Sequence, residues 1–326
     1  MNLVTGATGH AGNVIVRELL ARDRRVKVFV RPTSDITPLK EFKVEVATGD
    51  ILNLDSLIVA FKNADIVYHL AGDVSIMPGN EKYMHEINVV GTQNVINACI
   101  ECKVKRLVYM SSIHAIKEPP NGIVIDESLP FDPDSLISEY QRSKARASLE
   151  VLKAVDSGLE SVVVCPTGFM GPYDYKISII GKTIIEFAKK KLKFLIDGAY
   201  DFVDVRDVAV GSILACDKGK TGESYILSGE KVTIGELMLM LEDITGIKAP
   251  HYKVPIWLAK FVATFSQLYC RLTKAEPYFT RYSVYTLLSN SNISHKKASR
   301  DLGYLPRPIK SSVADSIQWF KDRGIL

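Results

Sequence analysis

The chain has 326 residues with 47% hydrophobic and 24% charged, enough to bury a substantial core and too apolar for a disordered protein. Its 41 basic and 37 acidic residues leave a formal charge of +4, too small and too scattered an excess to argue for nucleic acid. Five cysteines, an odd number, do not suggest a disulfide framework, and no uninterrupted apolar run reaches membrane-spanning length, so a reducing cytoplasm is the expected setting.

Leu3 and Val4 open a short strand that runs into Thr5-Gly6-Ala7-Thr8-Gly9-His10-Ala11-Gly12, after which Val14, Ile15, Leu19 and Leu20 recur at helical spacing. A strand, a glycine turn and a helix suit a dinucleotide. The glycines let the chain turn tightly and approach a pyrophosphate, and the free N–H groups of the first helical turn face the anion. Cofactor contacts are expected from Thr5, Gly6, Thr8, Gly9, His10, Ala11 and Gly12. The second strand, Val26 to Val30, ends at Arg31, with the hydroxyls of Thr33 and Ser34 close by. A carboxylate there would suit the ribose of NAD, whereas a guanidinium fork suits a 2′-phosphate, so NADP(H) is favoured and NAD(H) is the other option.

Val44 to Val46 reads as the third strand, followed by Gly49-Asp50-Ile51. Asp50 is placed to accept from an adenine amino group, or simply to close a turn, and Ile51 lies beside it. A short helix from Asp55 to Lys62 leads into the strand Asp65 to Leu70. Leu70, Ala71 and Gly72 then let the backbone run close under a cofactor, with Asp73 nearest a substrate. His69, inside the strand, reads as a satisfied core histidine. A long helix from Tyr83 to Cys102 carries Asn88 and Gly91, the glycine implying close packing against a neighbour. Cys99-x-x-Cys102 lies in that helical pattern without a second pair, and no metal site is expected.

Lys105 to Met110 is the fifth strand and runs into Ser111-Ser112-Ile113-His114. The Pro-, Gly- and Asp-rich connection from Glu118 to Asp134 is long for an inert loop and is expected to border a site. A helix bounded by Ser138 and Gly158 carries Tyr140 and Lys144. The sixth strand, Ser161 to Val164, ends in Cys165-Pro166-Thr167-Gly168-Phe169-Met170-Gly171-Pro172-Tyr173. Pro166, Thr167 and Gly168 are expected at the cofactor, and Phe169, Met170 and Tyr173, with Asp73 and His114, at a substrate.

Strands alternating with helices predict an α/β fold, a doubly wound parallel sheet of order 3-2-1-4-5-6 plus an extra strand. Residues 1–165 are expected to bind the dinucleotide, and 166–326 to form mostly a smaller interleaved substrate lobe, with about 200–228 returning to the first domain. Short strands are expected at Leu192–Ile196, Phe202–Val208 and Ser224–Leu227. Helices are expected at Ile177–Lys190, Asp207–Cys216, Thr233–Thr245, Ile256–Thr273 and Ile309–Phe320. The apolar stretch His251–Thr273 reads first as a lobe helix packed on the core, then as a lid over an apolar ligand, and last as a membrane-surface helix.

Tyr140 and Lys144 are i and i+4, so both side chains leave one helix face a turn apart. A phenol is a poor acid near its ordinary pKa of about 10, and a fixed ammonium beside it pulls that value toward neutrality. Lys144 can also hold the nicotinamide ribose. Ser112 supplies a hydroxyl to polarise a substrate oxygen, with Ser111 as the fallback, since strand alternation sends only one of the pair toward the site.

These motifs together resemble the extended short-chain dehydrogenase/reductase family over nearly the whole chain. The resemblance is carried by Thr5-Gly6-x-x-Gly9-x-x-Gly12, Asp50, His69-Leu70-Ala71, Asn88-Val89-x-Gly91-Thr92, Ser111-Ser112, Tyr140-x-x-Ser143-Lys144 and Phe202 to Ala209. It implies a Rossmann-type core, catalytic roles for Ser112, Tyr140 and Lys144, and Asn88 as the family's structural asparagine. Val30 to Asp35, Pro166-Thr167-Gly168 and Leu302-Gly303-Tyr304 look like the branch of dihydroflavonol reductase-like and 3β-hydroxysteroid dehydrogenase-like enzymes. Cys165 stands where nucleotide-sugar epimerases usually carry a polar residue before the proline, which weakens an epimerase reading. The expectation is an NADP(H)-dependent reductase of a small apolar or aromatic carbonyl or alcohol substrate. The alternatives are a nucleotide-sugar epimerase or dehydratase with tightly bound NAD, and a cofactor-sensing regulator, against which Tyr140, Lys144 and Ser112 argue. A homodimer is expected from the resemblance alone.

Overall fold

The computed structural model describes residues 1–74, 79–258, 261 and 281–326. Its main sheet is parallel and has seven strands. They are β1 (Asn2–Thr5), β2 (Val26–Val30), β3 (Glu45–Thr48), β4 (Ile66–His69), β5 (Arg106–Met110), β6 (Glu160–Pro166) and β10 (Ser224–Leu227), in the order 3-2-1-4-5-6-10. This is the expected doubly wound order with its extra strand. β1 lies between β2 and β4, with Thr5 level with Phe29 on one side and His69 on the other.

The strands read as continuous apolar runs because both faces are covered. Alternate residues go to opposite layers. Val4, Val28, Tyr68, Val108 and Val162 pack against α1 (His10–Leu20) and α7 (Val205–Lys218). Leu3, Phe29, Val67, Leu107 and Val163 pack against α2 (Leu54–Phe61), α4 (Gly91–Glu101) and α5 (Glu139–Lys153). The Ser138 side chain caps α5 by accepting from Gln141 N, as its position in the sequence suggested, and Gly158 takes a left-handed conformation just beyond.

Beyond β6 the chain builds a second apolar cluster around α6 (Ile179–Ala188), α8 (Ile234–Thr245) and the helix Ile309–Asp322. This cluster carries a three-stranded sheet, β11 (Glu230–Thr233), β9 (Ala199–Asp204) and β7 (Gly168–Met170), and a two-stranded pair, β8 (Phe194–Ile196) with β12 (Tyr252–Val254).

Three expectations need correction. The strand expected over Phe202–Val208 stops at Asp204, whose carboxylate accepts from Arg206 N at 2.7 Å and caps α7, so Val205 and Val208 are helical core residues. β9 therefore joins the lobe sheet, while α7 and β10 lie on the main sheet. The third strand begins and ends later than Val44–Val46, because its pairing with β2 runs from Glu45 to Thr48. The helix expected over Tyr83–Cys102 is interrupted by a π-helical turn at Glu86–Val90. A Cβ on Gly91, the next residue, would lie 2.7 Å from Ile51 Cδ1, so glycine lets α4 approach the β3–α2 corner without displacing the Ile51 side chain. Most of the expected helix Ile256–Thr273 lies outside the described residues.

Candidate active site

The glycine turn owes its shape to close backbone approaches. Gly6 has φ +73°, and a Cβ there would meet Ala71 N at 2.7 Å. A Cβ on Gly12 would fall 2.2 Å from Gly6 O. Gly9 stands at the N-cap of α1 in an extended conformation without a side-chain cap, so no side chain competes for the first-turn N–H groups. Thr8 and Ala11 are buried beside them. On the opposite wall, a Cβ on Gly72 would lie 3.0 Å from Asn88 Oδ1 and 3.5 Å from Lys144 Nζ. The tight turn and the uncapped first-turn N–H groups are the chemistry that a dinucleotide diphosphate requires.

A buried polar chain ties this turn to the helix that carries Tyr140. Thr5 Oγ1 accepts from the N–H groups of Leu70 and Ala71, both at 3.2 Å, and lies 2.8 Å from His69 Nδ1. His69 Nε2 is 3.0 Å from Thr92 Oγ1, whose own hydrogen goes to Asn88 O at 2.6 Å. The network thus assigns one tautomer: Nε2–H donates to Thr92, and Nδ1 accepts from Thr5. Burial pushes the His69 imidazole down to about 3, consistent with this neutral form. His69 is the satisfied core histidine that its strand position suggested.

Asn88, in the π-turn, accepts from Asp73 N at 2.7 Å and donates to Asp73 O at 2.9 Å and Ser143 Oγ at 3.0 Å. Ser143 in turn donates to Tyr140 O at 3.1 Å. Asn88 therefore clamps the backbone after β4 to the first turn of α5. The π-turn is what aims it there while leaving the rest of α4 in register with the core.

Tyr140, Lys144 and Ser112 are brought together. The Ser112 hydroxyl faces the Tyr140 phenol and accepts from His114 N at 3.2 Å. Ser111 points the other way: its hydroxyl meets Ser148 Oγ at 2.6 Å inside α5. Lys144 is 5% exposed, donates to Met110 O at 2.8 Å and reaches the Tyr109 hydroxyl at 3.4 Å. Burial pushes its ammonium down to about 8. Burial also pushes the Tyr140 phenol above its ordinary value, opposed by the Ser112 hydroxyl.

The remaining cofactor candidates divide by what their side chains already hold. Arg31 is exposed at the end of β2 and, among the described residues, bonds to the Tyr83 hydroxyl at 3.3 Å. Asp50 closes its own turn by accepting from Leu52 N at 2.9 Å, and Ile51 is buried against Gly91. Thr167 donates to the buried Asp201 at 2.7 Å, Gly168 packs under the Tyr200 ring, and Pro166 ends β6. The His10 ring turns away from the cradle to the Pro172 carbonyl, 2.8 Å from Nε2.

Of the substrate candidates, His114 lines a cavity next to the Ser112–Tyr140 pair. Met170 is 1% exposed in the lobe core, Phe169 sets its edge on His10, and Tyr173 lies over the Arg17 guanidinium at 3.8 Å. Asp73 is held through its backbone by Asn88. The cavity, about 500 Å³, lies between the connection after β5 and the segment Tyr285–Ile293. Ile116, Pro119, Ile125 and Ile293 supply apolar wall, and Gln141, Tyr200 and Tyr285 supply polar groups. The Tyr200 hydroxyl is 2.7 Å from His114 Nε2, and burial pushes the His114 imidazole down to about 4, leaving it neutral. Glu118 accepts from the Tyr285 hydroxyl and from Asn290 N, which pins the connection to the C-terminal segment. Tyr200, Tyr285 and Asn290 were not anticipated. An aromatic residue opening β9 was a usable signal for Tyr200, but nothing local marked the other two.

The family model described as NAD dependent epimerase/dehydratase family matches residues 2–235. Sterol demethylase protein B of Methylococcus capsulatus is 35% identical over 328 residues, covering 99% of each chain. A dihydroflavonol 4-reductase-like protein of Synechocystis is 31% identical, covering 99% of this chain and 95% of its own. The crystal structure of gox2253 superposes with a TM-score of 0.88 at 35% identity, covering 100% of this chain and 99% of the other.

Proposed function

The chain belongs to the NAD dependent epimerase/dehydratase family, an oxidoreductase group with a nicotinamide cofactor, and we propose that within it this protein is an NADP(H)-dependent carbonyl reductase or alcohol dehydrogenase. The observation that carries the reading is that the Ser112 hydroxyl faces the Tyr140 phenol, with Lys144 one helical turn further along α5. The glycine turn would take the diphosphate, Asp50 the adenine side, Arg31 a 2′-phosphate and Lys144 the nicotinamide ribose. When bound, the nicotinamide supplies or takes up the hydride.

The residues of this chain would do the rest. Ser112 holds the substrate oxygen by a hydrogen bond, and Tyr140 gives that oxygen a proton during reduction or removes it during oxidation. With its phenol raised by burial, Tyr140 starts as a proton donor, which suits reduction. The cavity beyond His114 would hold the body of the substrate. Its mixed wall of isoleucines, prolines and tyrosines fits an apolar ring compound better than a phosphorylated one. Two relatives named for a sterol and a dihydroflavonol agree with that class. Arg31 supports NADP, because among the described residues no carboxylate lies within ion-pair distance of its guanidinium.

The test is the absorbance of NADPH and NADH with purified protein against steroid ketones, flavonoid-like ketones, aldehydes and nucleotide sugars. NADPH oxidation by a polycyclic ketone is the expected result. Bound NAD that turns over a nucleotide sugar without net redox overturns the reading. Arg31→Asp is expected to move the NADPH:NADH preference toward NADH by about tenfold or more, and an unchanged ratio defeats the NADP argument.

A further inference from the structure

His10 is the first residue of α1 and its side chain is 8% exposed. The Pro172 carbonyl is only an acceptor, so the 2.8 Å contact at Nε2 requires the ring proton on that nitrogen. The neutral ring therefore carries its lone pair on Nδ1, which is buried without a hydrogen-bond partner. Facing it at 3.9 Å is Asp174 Oδ1 on a carboxylate that is itself 4% exposed. The other oxygen of that carboxylate is used by Ser178, accepting from its N–H at 2.8 Å and its hydroxyl at 2.7 Å. A lone pair opposed to a buried carboxylate is a repulsive arrangement that one proton would convert into an ion pair.

The other groups around the ring do not resolve it. Asp204, at the end of β9, also bears on His10, but its charge is answered by Arg206 at 2.7 Å and Arg307 at 3.9 Å. The Phe169 ring edge packs on the imidazole at 5.8 Å between centroids and offers no charge. Arg17, two turns further along α1, is engaged by Glu41 and Tyr175. Burial holds the imidazole below its ordinary pKa, and the N-terminal end of a helix opposes a positive charge there as well. A diphosphate docking on the same helix end would reverse that field.

We infer that His10 takes a proton from solvent onto Nδ1 as a dinucleotide diphosphate docks on α1, closing the gap to Asp174 and so coupling cofactor binding to the seating of the Pro172–Asp174 crossover. This rests on the reading that a dinucleotide binds at the glycine turn. The crossover leads directly into α6, and its backbone is bent at Gly171 (φ +146°), Tyr173 (φ +71°) and Ile177 (φ +51°). His10 is the side chain of the glycine turn that reaches it. The sign follows from linkage: a group whose pKa rises on binding makes binding tighter at low pH, and that gain is lost as pH climbs through the bound-state value.

Calorimetric titration with NADH, which carries the diphosphate without a titrating 2′-phosphate, in two buffers of different ionisation enthalpy at pH 7 counts the protons. The expected result is uptake of about half a proton per site, with Kd weakening roughly three- to tenfold from pH 6 to 8. His10→Gln keeps a donor for Pro172 O and cannot be protonated. It should bind NADH with a pH-independent Kd and no uptake, at an unchanged unfolding midpoint. Asp174→Asn should reduce the uptake. Binding by the wild-type protein with no proton uptake, or uptake that persists in His10→Gln, overturns this inference alone. No binding of either NADH or NADPH at any pH overturns the cofactor reading with it.

Discussion

The two halves of the site are built from different materials. At the proposed cofactor end the walls are mostly backbone: a Cβ on Gly6, at the end of β1, or on Gly12, in the first turn of α1, would strike main-chain atoms, and one on Gly72, after β4, would crowd the Asn88 side chain. At the substrate end the walls are side chains, and His114, Tyr200, Tyr285 and Asn290 meet from segments far apart in the chain. A backbone site tolerates no added atom but asks little of residue chemistry. A side-chain site is the reverse: its shape changes with each substitution while the fold beneath it stands.

Where the halves meet, chemistry should outweigh both. Tyr140→Phe removes the proton donor and leaves the cradle untouched. It is expected to lower kcat about a thousandfold while NADPH affinity, measured by fluorescence, stays within about twofold. A fall in affinity instead would blur the division between the halves. Gly12→Ala probes the backbone side. Its Cβ would overlap Gly6 O at 2.2 Å, and neither atom is on a flexible chain, so urea unfolding should show a loss of about 3 kcal/mol together with weakened cofactor binding.

The two buried histidines give a pH test of the same contrast. His69, on the cofactor side, and His114, on the substrate side, are held down to about 3 and about 4. In the unfolded chain both take protons near 6.5, so unfolding takes up protons below that value and stability falls as pH drops toward 4. His114→Phe is expected to flatten this limb by on the order of 1.4 kcal/mol per pH unit between about pH 6 and 4.5, read from urea midpoints. An unchanged limb would mean that His114 is not neutral in the fold. The smallest effect is expected from Tyr200→Phe, which removes only the hydroxyl bonded to His114. It should raise KM for a bulky ketone about fivefold, near 1 kcal/mol, without moving the KM for NADPH.

The same contrast explains what could be read from the chain. β2 and β10 fall where the apolar runs placed them, and α5 begins at its serine cap, because each depends on neighbours within a few residues. Ser112 rather than Ser111 faces Tyr140, as strand alternation allowed, although alternation alone could not choose between them. The π-turn at Glu86–Val90 left no mark in composition: one extra residue in a helical register changes the aim of Asn88 and nothing in the apolar spacing. Phe202–Val208 read as one strand because Val203 and Val205 alternate while Val205 and Val208 suit a helix, and the Asp204 cap decides the boundary. Met170 and Tyr173 were sought at the substrate because they follow β6, yet packing against the lobe core and Arg17 claims them. The cavity wall from Tyr285 to Ile293 depends on contacts across more than half the chain, which no local pattern records.

The late arrival of β10 has a consequence for synthesis. β6 pairs with β5 on one side and, on the other, waits for Ser224–Leu227. Until those residues leave the ribosome, the nascent sheet presents the bare edge of an apolar strand, the kind of template on which other chains pair and aggregate. Once in place, β10 becomes the outer strand, and the Glu127 carboxylate accepts its Ile226 N–H at 2.7 Å. A residue from the middle of the chain thus closes an edge that only the later part can form, so a chain cut before β10 should be found in the insoluble fraction.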